Sequence, residues 1–207
     1  METKVTNWAN PTPAGLVALA VACFCFFAML NGLVDASCLP LFGWILIGGF
    51  AIQIVVALLD LKSGSLTGGN TFLFFSAYFM LATGLGMLAK AGAASPLDSR
   101  IEGWLWLCLG IVLILWTPAF YKSPALLFTI VVLLDLAIPF IAIKDLALFP
   151  DLSATFAQIA GWLLLLTGVV GVYLSAATLV NGTFGKTVYW NPGPLYKERA
   201  AKKDKKK

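Results

Sequence analysis

The chain has 207 residues, of which 60% are hydrophobic and only 12% charged, and its mean hydropathy is +0.90. That composition excludes an ordinary soluble domain and places most of the chain in a bilayer. A net charge of +4, no histidine and four cysteines in no metal-ligating spacing argue against a metal centre; with no nucleophile–base pair or phosphate loop either, the sequence predicts neither an enzyme nor a bound cofactor.

The first apolar run is introduced by Asn10-Pro11-Thr12-Pro13-Ala14-Gly15-Leu16. Proline lacks an N–H and pushes the residue before it out of the helical region, so the helix is predicted to start here, with Thr12 as N-cap and Pro13 as first helical residue. The free N–H groups of Ala14, Gly15 and Leu16 would make a small anion site, with Gly15 admitting a ligand or another backbone. The plain alternative is a start signal of the kind any membrane helix needs. Runs long enough to span a bilayer, roughly 20 residues each, are read at 14–34, 41–59, 71–89, 101–120, 124–143 and 154–180. The first is longer than the ~7–15 apolar residues of a signal peptide and has two prolines ahead of it, so it is read as a retained span.

The first span ends at Asn31-Gly32-Leu33-Val34-Asp35. Trp44, Trp104, Trp106 and Tyr189-Trp190 fall near span boundaries and are read as interfacial anchors. Cys23, Cys25 and Cys108 lie inside spans as small hydrophobes, whereas Cys38 sits where oxidation would matter. Span two carries Gln53 and, seven residues on, Asp60, close to two helical turns and therefore on one face. A buried glutamine needs partners, from a solute or from a neighbouring helix. Residues 63–68, rich in Ser and Gly, read as a flexible loop before span three opens at Asn70-Thr71. Span five opens similarly at Ser123-Pro124. Spans one, three and five thus begin on one side, and their partial positive ends would attract a carboxylate without a buried Lys or Arg; odd-numbered spans must start there in any case. Asp135, mid-span, is either a proton relay or a protonated hydrogen-bond partner for a neighbouring helix or protomer, near Pro139. Ala157, Gly161, Gly168, Gly171 and Ser175 give span six a small-residue face for close packing, within a protomer or between protomers.

Lys4, Lys62, Lys122 and the basic residues from Lys186 onward fall on one side, and Lys90, Arg100 and Lys144 on the other. By the positive-inside rule both termini are cytoplasmic, in a multi-pass protein of the cell membrane. The organisation read is a cytoplasmic segment 1–13, a six-helix channel domain 14–188 and a basic tail 189–207. Its Lys202-Lys203-Asp204-Lys205-Lys206-Lys207 run suits lipid headgroups, and no nucleic-acid partner is needed.

Five features in order resemble the acetate uptake transporter family, the succinate–acetate permeases and their fungal relatives. They are the Asn10–Leu16 stretch, with Ala14 where a larger apolar residue is usual; Gly48-Gly49 with Gln53 and Leu58-Leu59-Asp60, with Asp for the more usual Glu; Gly69-Asn70-Thr71-Phe72; Gly161-Trp162, Tyr173-Leu174 and Asn181; and Phe184-Gly185-Lys186-Thr187-Val188. The resemblance implies an all-α bundle of six transmembrane helices, shaped like the urea channels and assembled as a homohexamer with one pathway per protomer. It implies transport of acetate and related small monocarboxylates, with succinate and proton symport as further expectations. Asn10, Thr12, Gln53, Asn70 and Thr71 are then the candidate substrate residues. Leu19, Met80 and Ile130 fall at the family's apolar constriction, and Asp60, Asp135 and Thr178 are candidates for a proton or polar network, Thr178 standing where the family has an acid. The alternatives are a channel for urea or another small neutral solute, and a membrane scaffold that transports nothing.

Overall fold

The computed structural model describes residues 8–196, so Lys4 and the lysine-rich end of the tail lie outside the described residues. Among the described residues the fold is helical, with a single isolated β-bridge between Pro124 and Pro194. Six helical stretches are long and apolar enough to cross a membrane: Thr12–Leu30, Ala36–Lys62, Leu66–Gly92, Arg100–Lys122, Ala125–Asp145 and Pro150–Phe184. Their α-helical parts are α1 (Thr12–Leu30), α2 (Leu39–Lys62), α3 (Leu66–Phe74), α4 (Thr83–Gly92), α5 (Arg100–Trp116), α6 (Ala125–Asp145) and α7 (Ser153–Phe184). The third span is split into α3 and α4 by a π-helical stretch, Phe75–Ala82. The wider turn shows in the Thr83 hydroxyl, which donates to the Tyr78 carbonyl five residues back at 3.1 Å.

The helices close into a ring. α1 packs between α2 and α7, α7 between α1 and α6, and α6 between α7 and α5, while the third span lies along α2. Aromatic pairs bring the third and fourth spans together: Phe74 meets Trp116 at 5.2 Å and Phe79 meets Trp106 at 5.7 Å between ring centroids. Small residues allow the close crossings. A Cβ on Gly43 would stand 2.8 Å from the Gly84 carbonyl oxygen, and one on Gly84 the same distance from the Gly43 oxygen, so α2 and α4 touch backbone to backbone. The small-residue face of α7 packs within the protomer, Gly168 on Phe24 and Cys23, Gly171 on Leu16 and Ala20.

Several boundaries differ from the sequence reading for local reasons. Thr12 is the first helical residue and Pro11 the N-cap; it is Asn10 whose side chain accepts from the Thr12 N–H, at 3.0 Å. Asn10 reaches that N–H because proline leaves no N–H of its own at position 11. α1 stops at Leu30, before Val34, where Gly32 adopts φ +69° and the Leu33 N–H returns to the Ala28 carbonyl. Residues 63–68 are not a loop throughout. The Ser65 N–H and Ser63 hydroxyl both cap the Asp60 carbonyl, and the helix resumes at Leu66. A three-residue turn suffices because Gly68 and Gly69 let α3 lie directly on Asp60 and Leu61. Asn70-Thr71 consequently sits one turn inside α3. Trp106 is no interfacial anchor: it is 3% exposed in the core, whereas Trp44 and Trp104 are more than 60% exposed. Before α5, hydrogen bonds from the Arg100 side chain and backbone hold the Asp98 carboxyl down at about 2.

Candidate functional site

Two cavities lie along the axis of the ring. The inner one, about 40 Å³, is lined by Leu16 and Leu19 of α1, Gln53 of α2, Gly68, Thr71, Phe72 and Phe75 of the third span, Leu113 and Phe120 of the fourth, and Leu127, Ile130, Val131 and Leu134 of α6. It has room for more than one water at the ~10–15 Å³ each requires. The first turns of spans one, three and five therefore converge on a single space.

Its wall is apolar except at Gln53 and Thr71. Gln53 is 1% exposed, and its Nε2 donates to the Gly15 carbonyl at 3.4 Å. The Ser175 hydroxyl of α7 donates to the Pro13 carbonyl at 2.9 Å, so side chains from two other helices hold the proline-rich start of α1 in place. Gln53 Oε1 and Thr71 Oγ1 are both buried without a hydrogen-bond partner among the described residues. A buried polar atom left unpaired costs on the order of 1–3 kcal/mol, and these two share one cavity wall.

The outer cavity, about 90 Å³, lies at the opposite end of the axis. Phe26, Met87 and Trp106 face it together with Lys90, Glu102, Lys144 and Asp145. The charges are paired, Lys90 with Glu102 across the third and fourth spans and Lys144 with Asp145. Between the two cavities stands an aromatic block. Phe79 is fully buried, with ring centroids 5.4 Å from Phe75 and Phe26 and 5.7 Å from Trp106, and Phe26 stacks edge-on against Phe42 at 4.8 Å.

The other residues singled out in the sequence fall elsewhere. Asn10 accepts from the Thr12 N–H at the start of α1, and neither residue lines the cavity. Asn70 donates to the Leu66 carbonyl and faces a groove with Leu115, Trp116 and Ala119 outside the ring. Leu19 and Ile130 line the inner cavity; Met80, fully buried, packs on Gly49 and lines neither cavity. The space Gly15 leaves is filled by the Phe72 ring, not by a ligand site: a Cβ there would stand 2.7 Å from Phe72 Cε1. Asp60 is 4% exposed, with Oδ2 against Gly68 just behind the inner cavity. Thr178 is half-buried on α7. Asn181 accepts from the Val188 and Tyr189 N–H groups and donates to the Tyr189 carbonyl, clamping the turn after α7. Among the described residues no cluster of Cys, Asp and Glu could hold a metal. The aromatic block and the paired charges went unread; aromatics at positions 26, 75, 79 and 106, and Lys and acidic residues at facing span ends, were the available signals.

Asp135 Oδ2 accepts from the Thr117 hydroxyl at 2.5 Å, tying α6 to the end of the fourth span. Asparagine offers an acceptor for the same bond without a charge to desolvate. Asp135→Asn is accordingly expected to fold and transport normally, with stability changed by no more than about 1 kcal/mol. Loss of the pH dependence of uptake in this variant would assign Asp135 a proton-carrying role instead.

No family model matches the chain. It is 25% identical over 190 residues to the succinate-acetate/proton symporter SatP of Escherichia coli K12, covering 88% of this chain and 95% of that protein, and matches the Shigella flexneri protein of that name equally. Among solved structures it superposes on the bacterial acetate channel SatP with a TM-score of 0.77 at 22% identity, over 89% of this chain and 99% of the other. At that identity the superposition establishes the six-helix fold. In sequence and in fold, the chain is succinate–acetate permease-like, the resemblance its motifs carry.

Proposed function

We propose that this protein is a membrane channel or transporter for acetate and related small monocarboxylates, and not an enzyme. The observation that carries the reading is the inner cavity itself, an apolar space fitted to a short alkyl group with two unpartnered polar atoms, Gln53 Oε1 and Thr71 Oγ1, fitted to one small polar head. The similarity over nearly the whole length to a succinate-acetate/proton symporter supports the same substrate class. Gln53 and Thr71 are the solute contacts, while Asn10 caps the start of α1 and Asn70 holds the Leu66 carbonyl in the first turn of α3. Leu19 and Ile130 narrow the cavity and the Phe26–Phe79–Trp106 block closes it toward the outer end. Lys62 over the Trp8 ring and Lys122 over the Tyr196 ring lie at the same end as both chain termini, which supports cytoplasmic termini with segment 1–13 and the tail 189–207 on that face. Each protomer holds its own pathway, and six assemble, lipid and neighbouring protomers covering the apolar outer faces of α1 and α7.

Labelled acetate uptake into proteoliposomes tests this. Gln53→Leu and Thr71→Val should each lower uptake about tenfold, the value of one hydrogen bond to the solute, while the protein elutes from size exclusion as the wild type does. A protein that passes urea and excludes acetate, or passes neither, would defeat the reading.

A further inference from the structure

Thr129, Thr167 and Thr183 each donate to the carbonyl four residues back, the usual resting place of a hydroxyl inside a helix. Thr71 does not: its hydroxyl is buried in α3, on the inner cavity wall, with no partner among the described residues. Gln53, 1% exposed on the same wall, carries the second unpartnered atom. The Gly15 carbonyl can only accept a hydrogen bond, so the Gln53 amide must turn its nitrogen toward it, and what remains unanswered is the acceptor Oε1. The wall therefore offers one acceptor of fixed orientation and one hydroxyl able to donate. A primary amide answers both without a charge, its N–H reaching Gln53 Oε1 and its C=O receiving the Thr71 hydroxyl. The cavity's volume of about 40 Å³, against the ~10–15 Å³ that one water requires, confines such a ligand to a few heavy atoms.

We propose that the inner cavity also binds short primary amides of the size of acetamide, with the amide group held between Gln53 and Thr71 and the alkyl group among Leu19, Phe75 and Ile130. This rests on the transport reading above and adds a neutral class of solute at the same site. The discrimination lies in the N–H. A ketone or a tertiary amide of similar size keeps the C=O for Thr71 but brings no donor, so Gln53 Oε1 stays buried and unpaired in the complex. A site that holds out an acceptor for an N–H rejects the analogue lacking it far more firmly than an apolar pocket rejects a change of size. The hydrogen bond from Gln53 to Gly15 is what sets this preference, because it fixes which end of the side-chain amide is left for the ligand.

Competition against labelled acetate uptake by the full chain in proteoliposomes tests this with acetamide and acetone, which share a methyl group, a C=O and an overall shape and differ in the amide N–H. Acetamide should inhibit at about a tenfold lower concentration than acetone, the value of one hydrogen bond. Gln53→Leu should bring acetamide to the level of acetone. Thr71→Val removes the bond to the C=O that both compounds carry, so it should weaken both by about the same factor and leave the preference between them in place. Inhibition by acetamide no stronger than by acetone in the wild type overturns the proposal without recourse to any variant, and so does a preference that survives Gln53→Leu or disappears in Thr71→Val. Acetate uptake that neither compound inhibits removes the amide site and leaves the transport reading standing, whereas a wild type that takes up no acetate overturns both.

Discussion

Phe79→Ala should raise acetate flux on the order of tenfold and admit longer acids that the wild type excludes, because a hydrophobic constriction blocks by dewetting and fails when its bulk is removed. Phe79 is fully buried between the two cavities, and its ring touches Phe75, which lines the inner one, and both Phe26 and Trp106, which line the outer one. The substitution also removes a core ring, so a loss of about 3–5 kcal/mol in stability is expected, and flux must be normalised to folded protein. Leu19→Ala and Ile130→Ala, which enlarge the inner cavity, should relax size selectivity with smaller gains in flux. Met80→Ala should cost stability alone, since Met80 fills the space over Gly49. Stopped-flow uptake of acetate and hexanoate into proteoliposomes separates these. If Met80→Ala opens the pathway and Phe79→Ala does not, the aromatic block is not the constriction.

Gly84→Val should be among the most damaging single changes to folding, costing about 3 kcal/mol through overpacking. The new side chain would meet the Gly43 carbonyl of α2 at 2.8 Å and the Leu46 Cβ at 3.1 Å, and backbone cannot swing aside as a flexible side chain does. α4 would be levered off α2, and Lys90, near the end of α4, would be carried away from Glu102. Gly48→Val is the control, because a Cβ on Gly48 meets nothing within 4 Å. Thermal unfolding in detergent reads both; equal melting temperatures would show that the α2–α4 contact yields more easily than its geometry implies.

How much of this was legible beforehand divides along a physical line. Hydropathy and length located all six crossings, and Gln53 stood out because an amide in a bilayer must be answered by something. The rotation of each helix was not legible, because these helices are apolar around most of their circumference and a one-dimensional pattern then fixes no face. Trp106, seen as a boundary residue, points into the core. Met80, placed by counting from the Gly-Asn-Thr-Phe motif, packs on Gly49 of α2 because it lies inside the π-helical stretch, whose wider turns change the angle that counting assumes. Asn70 and Thr71 were separated for a related reason: one residue inside α3 turns Thr71 to the cavity and Asn70 to the outside. The Thr117–Asp135 and Lys90–Glu102 pairings needed the neighbouring helices in place before they could be read.

The π-helical stretch also gives the third span an unusual kind of adjustability. A turn closed from residue i to i+5 holds one more residue than an α-turn without making the helix longer by a full turn. Removing one residue between Phe75 and Ala82 would therefore let the stretch close as ordinary α-turns, with α3 and α4 keeping nearly their present orientations, Lys90 still beside Glu102 and Gly84 still on Gly43. In an unbroken α-helix the same change would turn everything beyond it by about 100°. The wide turn thus works as a slack joint: it takes up one residue of length that would otherwise set the outer half of the span against the wrong faces of its neighbours.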